Sequence, residues 1–218
     1  MASPAPSIKV CGITREADAS ALVAAGVNWI GINLYGPSPR SVTLARAREI
    51  IIKVPAGQRV LVDVEPTLQK LADCKAAGFD RFQLHFKPAN LPEGTLDAWA
   101  DLLGRDNLWL APKLPPQTPF PTEILNAAET LLLDAYSKDA YGGTGKTANW
   151  ELFRELKSAH PRKNWILAGG LNPQNLLEAV QFTGTQCIDL NSGFETAPGL
   201  KDTAQITETL SRIVGLHH

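Results

Sequence analysis

The chain has little of what would commit it to a large charged partner, a membrane or a cross-linked scaffold. Lysine and arginine total 21 against 22 aspartates and glutamates, so a net charge near −1 provides no field for nucleic acid or an anionic membrane surface. No apolar run reaches the roughly 18 residues of a membrane span, and the opening MASPAPSIKV lacks the hydrophobic core of a signal peptide. A cytoplasmic protein is expected. Cys11, Cys74 and Cys187 are odd in number and too far apart for a disulfide framework or a zinc cluster, which predicts free thiols. No linker, low-complexity tract or strong internal repeat divides the 218 residues, a length that suits one domain over 1–218. A small molecule is the expected partner, and His217 and His218 receive no role.

One stretch, YGGTGKTANW from Tyr141 to Trp150, looks like half of a nucleotide-binding loop. The Walker A pattern, G-x-x-x-x-G-K-[S/T], needs a first glycine so that backbone N–H groups can wrap the phosphates. Counting back from Gly145-Lys146-Thr147, that position is Ala140. The motif fails at its first anchor.

What is present is a regular alternation. Short apolar runs recur as IKVCGI, WIGINLY, RVLVDV, RFQLHF, LWLAPKL, TLLLDA, WILAGG and CIDLNS, eight candidate strands. Between them lie stretches of helical period such as LARAREIIIKV, LQKLADCKAAG and WELFRELKSAH. The fifth helix is the weakest, because PPQTPFPTEILNAAE crowds prolines before a short apolar turn. Asn172-Pro173 supplies an N-cap with proline at the first helical position, while Gly26, Gly78, Gly104 and Gly184 sit where helices should stop. Eight βα units predict an α/β fold, a single (β/α)8 TIM barrel, whose usual size is about 250 residues. An open doubly wound sheet is the structural rival.

In such a barrel the site lies at the C-terminal ends of the strands, which here carry Cys11, Asn33, Asp63, His85, Lys113, Asp134 and Asn191-Ser192. Side chains alternate along a strand, so Lys9 shares a face with Cys11, and Asp189 with Asn191. First and last strands are neighbours in a closed barrel. Lys9 and Asp189 can therefore pair inside it, unless one faces the helix layer and reaches water. Gly169-Gly170 and Asn191-Ser192-Gly193 follow the last two strands, where barrels build phosphate sites; glycines there also serve plain tight turns. Read without further context, Cys11 is equally a small core residue, Asp134 a cap and Arg40 a solvated loop arginine.

The ordered series KVCGIT (9–14), SPR (38–40), QLH (83–85), LLLDA (131–135), GGTG (142–145), NW (149–150), LAGGL (167–171), SGFE (192–195) and PGLKD (198–202) resembles the phosphoribosylanthranilate isomerases of tryptophan biosynthesis. The likeness runs over nearly the whole chain. It implies a (β/α)8 barrel that performs an Amadori rearrangement of a phosphorylated aminoaldose, with no cofactor or metal. It further implies Asp134 as the acid that protonates the ribose ring oxygen and Cys11 as the base that removes the C2′ proton. Arg40 would hold the anthranilate carboxylate, and Gly169, Gly170, Ser192 and Gly193 the phosphate. The GGTG stretch becomes a loop that helps close the site.

Those roles make physical demands. Asp134 must keep a proton near neutral pH, against an ordinary value of about 3.9, so burial is part of its role. A thiol is only slightly ionised at neutral pH, and Lys9 is the nearest positive neighbour able to help Cys11. Three positions depart from the family pattern: Phe86 stands where a glycine usually follows QLH, VDVEP with Glu65 replaces a strand ending in asparagine, and Asn191 replaces a serine. They leave open another sugar-phosphate isomerase or epimerase on the same barrel.

Overall fold

The computed structural model describes residues 5–115, 118–134 and 148–215. Eight parallel strands close into a barrel in sequence order: β1 (Ser7–Val10), β2 (Trp29–Asn33), β3 (Arg59–Val64), β4 (Arg81–Phe86), β5 (Leu108–Pro112), β6 (Thr130–Leu133), β7 (Asn164–Leu167) and β8 (Cys187–Leu190). The open-sheet rival is excluded by the seam, where β1 pairs with β8 and Lys9 stands opposite Asp189. Helices α1 (Glu16–Ala24), α2 (Leu44–Ile51), α3 (Leu68–Ala77), α4 (Thr95–Leu103), α5 (Thr122–Ala127), α6 (Trp150–Ala159), α7 (Leu176–Thr183) and α8 (Thr203–Gly215) alternate with the strands. A short antiparallel hairpin, β9 (Glu195–Ala197) and β10 (Leu200–Lys201), follows β8.

The two-residue period of a strand divides the core. Val60 and Val62 of β3 join Trp109, Ala111, Leu132, Ile166 and Ala168 inside the barrel, whereas Leu61 packs outward beneath the helices. Trp29 and Trp109 meet edge to face at 5.3 Å near the N-terminal ends of their strands, and so fill the barrel's lower end.

Local signals start and stop the helices. Thr43, Thr67 and Asn149 each accept a backbone N–H in the first turn of α2, α3 and α6, which meets a donor the helix cannot satisfy itself. Gly78 and Gly184 end α3 and α7 in the left-handed conformation. As the prolines foretold, α5 has only six residues. One boundary differs from the sequence reading. Asn172 does cap, accepting the N–H groups of Gln174 and Asn175 at 2.9 and 3.2 Å, but it caps a turn, and α7 begins only at Leu176.

Phe86 also differs. It ends β4 fully buried on the outer face, edge to face with Trp99 of α4 at 5.8 Å, and so supports the helix layer instead of the mouth of the barrel. Among the described residues, no helix is long and apolar enough to cross a membrane.

Candidate active site

At the C-terminal mouth of the barrel lies a cleft bordered by Cys11, Asn33, His85, Asp134, Gly170 and Asn191, among others. Cys11 stands just past β1 and Asp134 just past β6, so they reach the cleft from well-separated strands. Cys11 is buried and Asp134 only partly so. Gly169 and Ser192 border the same cleft. The structure therefore brings together five of the seven expected residues around this cleft; Gly193, next to Ser192, and Arg40 are not among its lining.

Beneath the cleft, Lys9 reaches both carboxylate oxygens of Asp189 at 2.8 Å, and both side chains are buried. Gly31 makes room for this pair, since a Cβ there would stand 2.9 Å from Lys9 Nζ. Burial alone would lower the Lys9 ammonium, but Asp189 and the Cys11 sulfur more than offset it and hold it above its ordinary value. Burial likewise pushes Asp189 up, opposed first by Lys9 and also by a hydrogen bond with Gln83.

Lys9 does lie against Cys11, as expected, yet its help is outweighed. Burial pushes the thiol above its ordinary value, with Lys9 and Lys201 pulling it back only in part. Gln83 continues the buried polar chain, its Nε2 lying 2.9 Å from His85 Nε2. Burial, and next the charges of Lys9 and Lys113, pull His85 down to about 3, so its ring is neutral. A neutral ring keeps one donor and one acceptor nitrogen, and Nε2 is the one that meets the Gln83 amide.

Arg40 is not a solvated loop residue. Its Nε lies 2.9 and 3.1 Å from the two oxygens of Glu195, and its Nη2 reaches Oε2 at 2.7 Å. Lys201 Nζ donates to the other side of Glu195 at 2.6 Å and to Asn191 Oδ1 at 2.9 Å. Burial works against the Glu195 carboxylate, but hydrogen bonds from Arg40 and Lys201 prevail and hold it below the usual carboxylate range. Arg40 comes this close to the Cys11 strand end because Gly12 has no side chain. A Cβ there would stand 2.7 Å from Arg40 Cδ and 3.0 Å from Asn191 Oδ1, and the Gly12 φ of +74° favours glycine as well.

Behind the cleft the two glycine turns touch. Gly169 and Gly170 have φ of +87° and +64°, and a Cβ on Gly193 would collide with the carbonyl oxygen of Leu171. Asn175 Nδ2 donates to Gly170 O at 2.9 Å, which fixes the first turn from the helix side. The second turn is a single 3-10 turn, Ser192–Phe194. Gly142, Gly143 and Gly145, expected to close the site, lie outside the described residues, as do Lys146, His217 and His218. No group of three or more metal-ligating side chains occurs among the described residues.

A family model for N-(5′-phosphoribosyl)anthranilate isomerase matches residues 8–212. The chain belongs to the phosphoribosylanthranilate isomerase family. Within that family it is 34% identical to the isomerase of Syntrophus aciditrophicus over 219 aligned positions, covering 94% of this chain and 86% of the relative. The phosphoribosylanthranilate isomerase of Thermotoga maritima superposes with a TM-score of 0.80 at 29% identity, covering 96% of this chain and 99% of that one. A phosphoribosylanthranilate isomerase in complex with reduced 1-(o-carboxyphenylamino)-1-deoxyribulose 5-phosphate superposes with a TM-score of 0.76 at 26% identity, covering 96% and 99%.

Sequence reasoning gave no role to Gln83, Glu195, Lys201 or Gly12. Strand parity was enough to find Gln83, which shares the inward face of β4 with His85. For Glu195 and Lys201 the available signals were the motifs SGFE and PGLKD that contain them and the turn dipeptide Pro198-Gly199 between them, none of which shows that the two side chains meet Arg40.

Proposed function

We propose that the protein is a cytoplasmic enzyme of tryptophan biosynthesis that converts N-(5′-phosphoribosyl)anthranilate to 1-(2-carboxyphenylamino)-1-deoxyribulose 5-phosphate. The observation that carries this reading is the placement of Cys11 and Asp134 on one cleft at the mouth of a barrel of this family. The phosphorylated ligand in the superposed family member supports the same substrate class.

In this scheme Asp134 donates its proton to the ribose ring oxygen as the C1′–O bond breaks, and the nitrogen lone pair closes a C1′=N iminium. Cys11, as thiolate, removes the C2′ proton, and those electrons form the C1′=C2′ bond while the nitrogen becomes neutral. The resulting enol takes a proton at C1′ and loses its hydroxyl proton, leaving a ketone at C2′. Acid and base act at different atoms, which suits groups placed on separate strands. The turns at Gly169-Gly170 and Ser192-Gly193 hold the phosphate through backbone N–H groups. Arg40 holds the anthranilate carboxylate.

Fluorescence of phosphoribosylanthranilate tests the proposal directly. The purified protein should remove the signal, and Cys11→Ser or Asp134→Asn should lower kcat by about 10²–10⁴. Because burial raises the Cys11 thiol from its ordinary value of 9.0, kcat/KM should still be climbing with pH through that value. Unchanged rates in both variants would overturn the roles. Turnover of other aminoaldose phosphates, with none of phosphoribosylanthranilate, would favour a related sugar-phosphate isomerase or epimerase.

A further inference from the structure

Both oxygens of the Glu195 carboxylate are engaged from within the protein. Arg40 meets both of its oxygens, Lys201 Nζ binds Oε1 at 2.6 Å, and the Gly199 N–H reaches Oε1 at 3.2 Å. All three charged side chains are nearly sealed from water, at 10, 4 and 0% exposure for Arg40, Glu195 and Lys201. Such a cluster is costly to bury, so its geometry calls for a reason.

The reason lies in which edge of Arg40 is taken. A guanidinium presents N–H groups along two edges able to meet a planar carboxylate, one through Nε and Nη2, the other through Nη1 and Nη2. Glu195 occupies the first. Among the described residues Nη1 donates to nothing, so the second edge keeps its donors while the plane of the group is fixed by Glu195.

Charge points the same way. Arg40 with Glu195 alone would be neutral and would attract a second carboxylate weakly. Lys201 restores one positive charge to the buried trio. Its ammonium also binds Asn191 beside the Ser192-Gly193 turn, so one group braces both ends of the site. The β9–β10 hairpin that carries Glu195 and Lys201 is docked on the loop after β1, where Thr14 donates to Gly199 O at 2.7 Å.

We propose that Glu195 and Lys201 are positioning residues that set the orientation and the net charge of Arg40, and thereby make the enzyme selective for an aminosugar phosphate whose aryl group bears a carboxylate. This rests on the reading of Arg40 as the carboxylate holder, and the test separates the two.

Steady-state kinetics compare phosphoribosylanthranilate with the phosphoribosyl adduct of aniline, which lacks the carboxylate. Glu195→Gln should raise KM about tenfold or more for the carboxylated substrate, leave its kcat within about threefold, and change KM for the aniline adduct by less than about twofold. In an Arg40→Ala background, Glu195→Gln should add little, because the group it orients is gone. Lys201→Met should reproduce the carboxylate-specific rise, and Lys201→Arg should restore most of the lost selectivity. Equal losses on both substrates, additive effects of the Arg40 and Glu195 variants, or no loss at all would overturn the proposal. If Arg40→Ala keeps wild-type selectivity, the carboxylate reading of Arg40 itself fails. Should the Glu195→Gln chain not fold, the Lys201 variants decide by the same criterion.

Discussion

Replacing His85 with glutamine should flatten the acid side of the protein's stability curve. His85 is buried, its Nε2 meets the Gln83 amide, and burial, then Lys9 and Lys113, pull it from 6.5 to about 3. On acidification the unfolded chain therefore takes up a proton at this position well before the folded one does. Stability from this group is complete above the unfolded value and is lost as pH falls towards the folded value. The limiting slope is about 1.36 kcal/mol per pH unit for one proton, so about 2 kcal/mol should be lost between about pH 8 and about pH 5. That window lies above most carboxylate titrations. Urea unfolding of the wild type and of His85→Gln at both pH values measures the effect, with an unchanged m-value as the check on two-state behaviour. The variant should lose about 2 kcal/mol less than the wild type over the window. Parallel losses in the two proteins would show that His85 is not held neutral by the fold.

Two further outcomes follow from the floor of the site and from its glycine turns. Lys9→Met alone strands the buried Asp189 carboxylate and should cost about 3–5 kcal/mol, while Lys9→Met with Asp189→Leu should recover most of that; equal losses in denaturant melts would refute the coupling. Gly193→Ala should raise KM about tenfold and lower Tm by several degrees, because its Cβ would meet the Leu171 carbonyl, whereas Gly36→Ala, with open space at its Cβ, should stay within about 0.5 kcal/mol of wild type.

Periodicity made the barrel legible. Each strand is a short apolar run and each helix a stretch of its own period, so element type needed no long-range information. Parity along β1 and β8 likewise foretold the Lys9–Asp189 pair, because closure of the ring puts those strands side by side. The same parity, applied to Phe86 after His85, would have sent its ring outward; judged by size at a loop start, it looked like a change to the site. The hold of Glu195 on Arg40 was not legible, since it spans 155 residues, and the motifs SGFE and PGLKD mark the segment without saying what its side chains meet. Nor was the balance at Cys11, where the positive neighbour was foreseen but the larger effect of burial was not. Such balances depend on how much water the assembled mouth excludes, and a linear sequence does not contain that quantity.

The seam between β1 and β8 gives the enzyme an order of assembly. Lys9 and Asp189 are 180 positions apart, and Cys11 sits directly above their junction. During synthesis Cys11, the base of the proposed reaction, leaves the ribosome early, but the wall behind it arrives almost last. A nascent chain stalled before Cys187 would hold most of the helices and an incomplete ring with no chemistry. Moving the termini by circular permutation to the α5–β6 connection would make β1 and β8 consecutive in synthesis. If the seam alone delays activity, that rearranged chain should gain its fold from a different starting point and keep the same turnover.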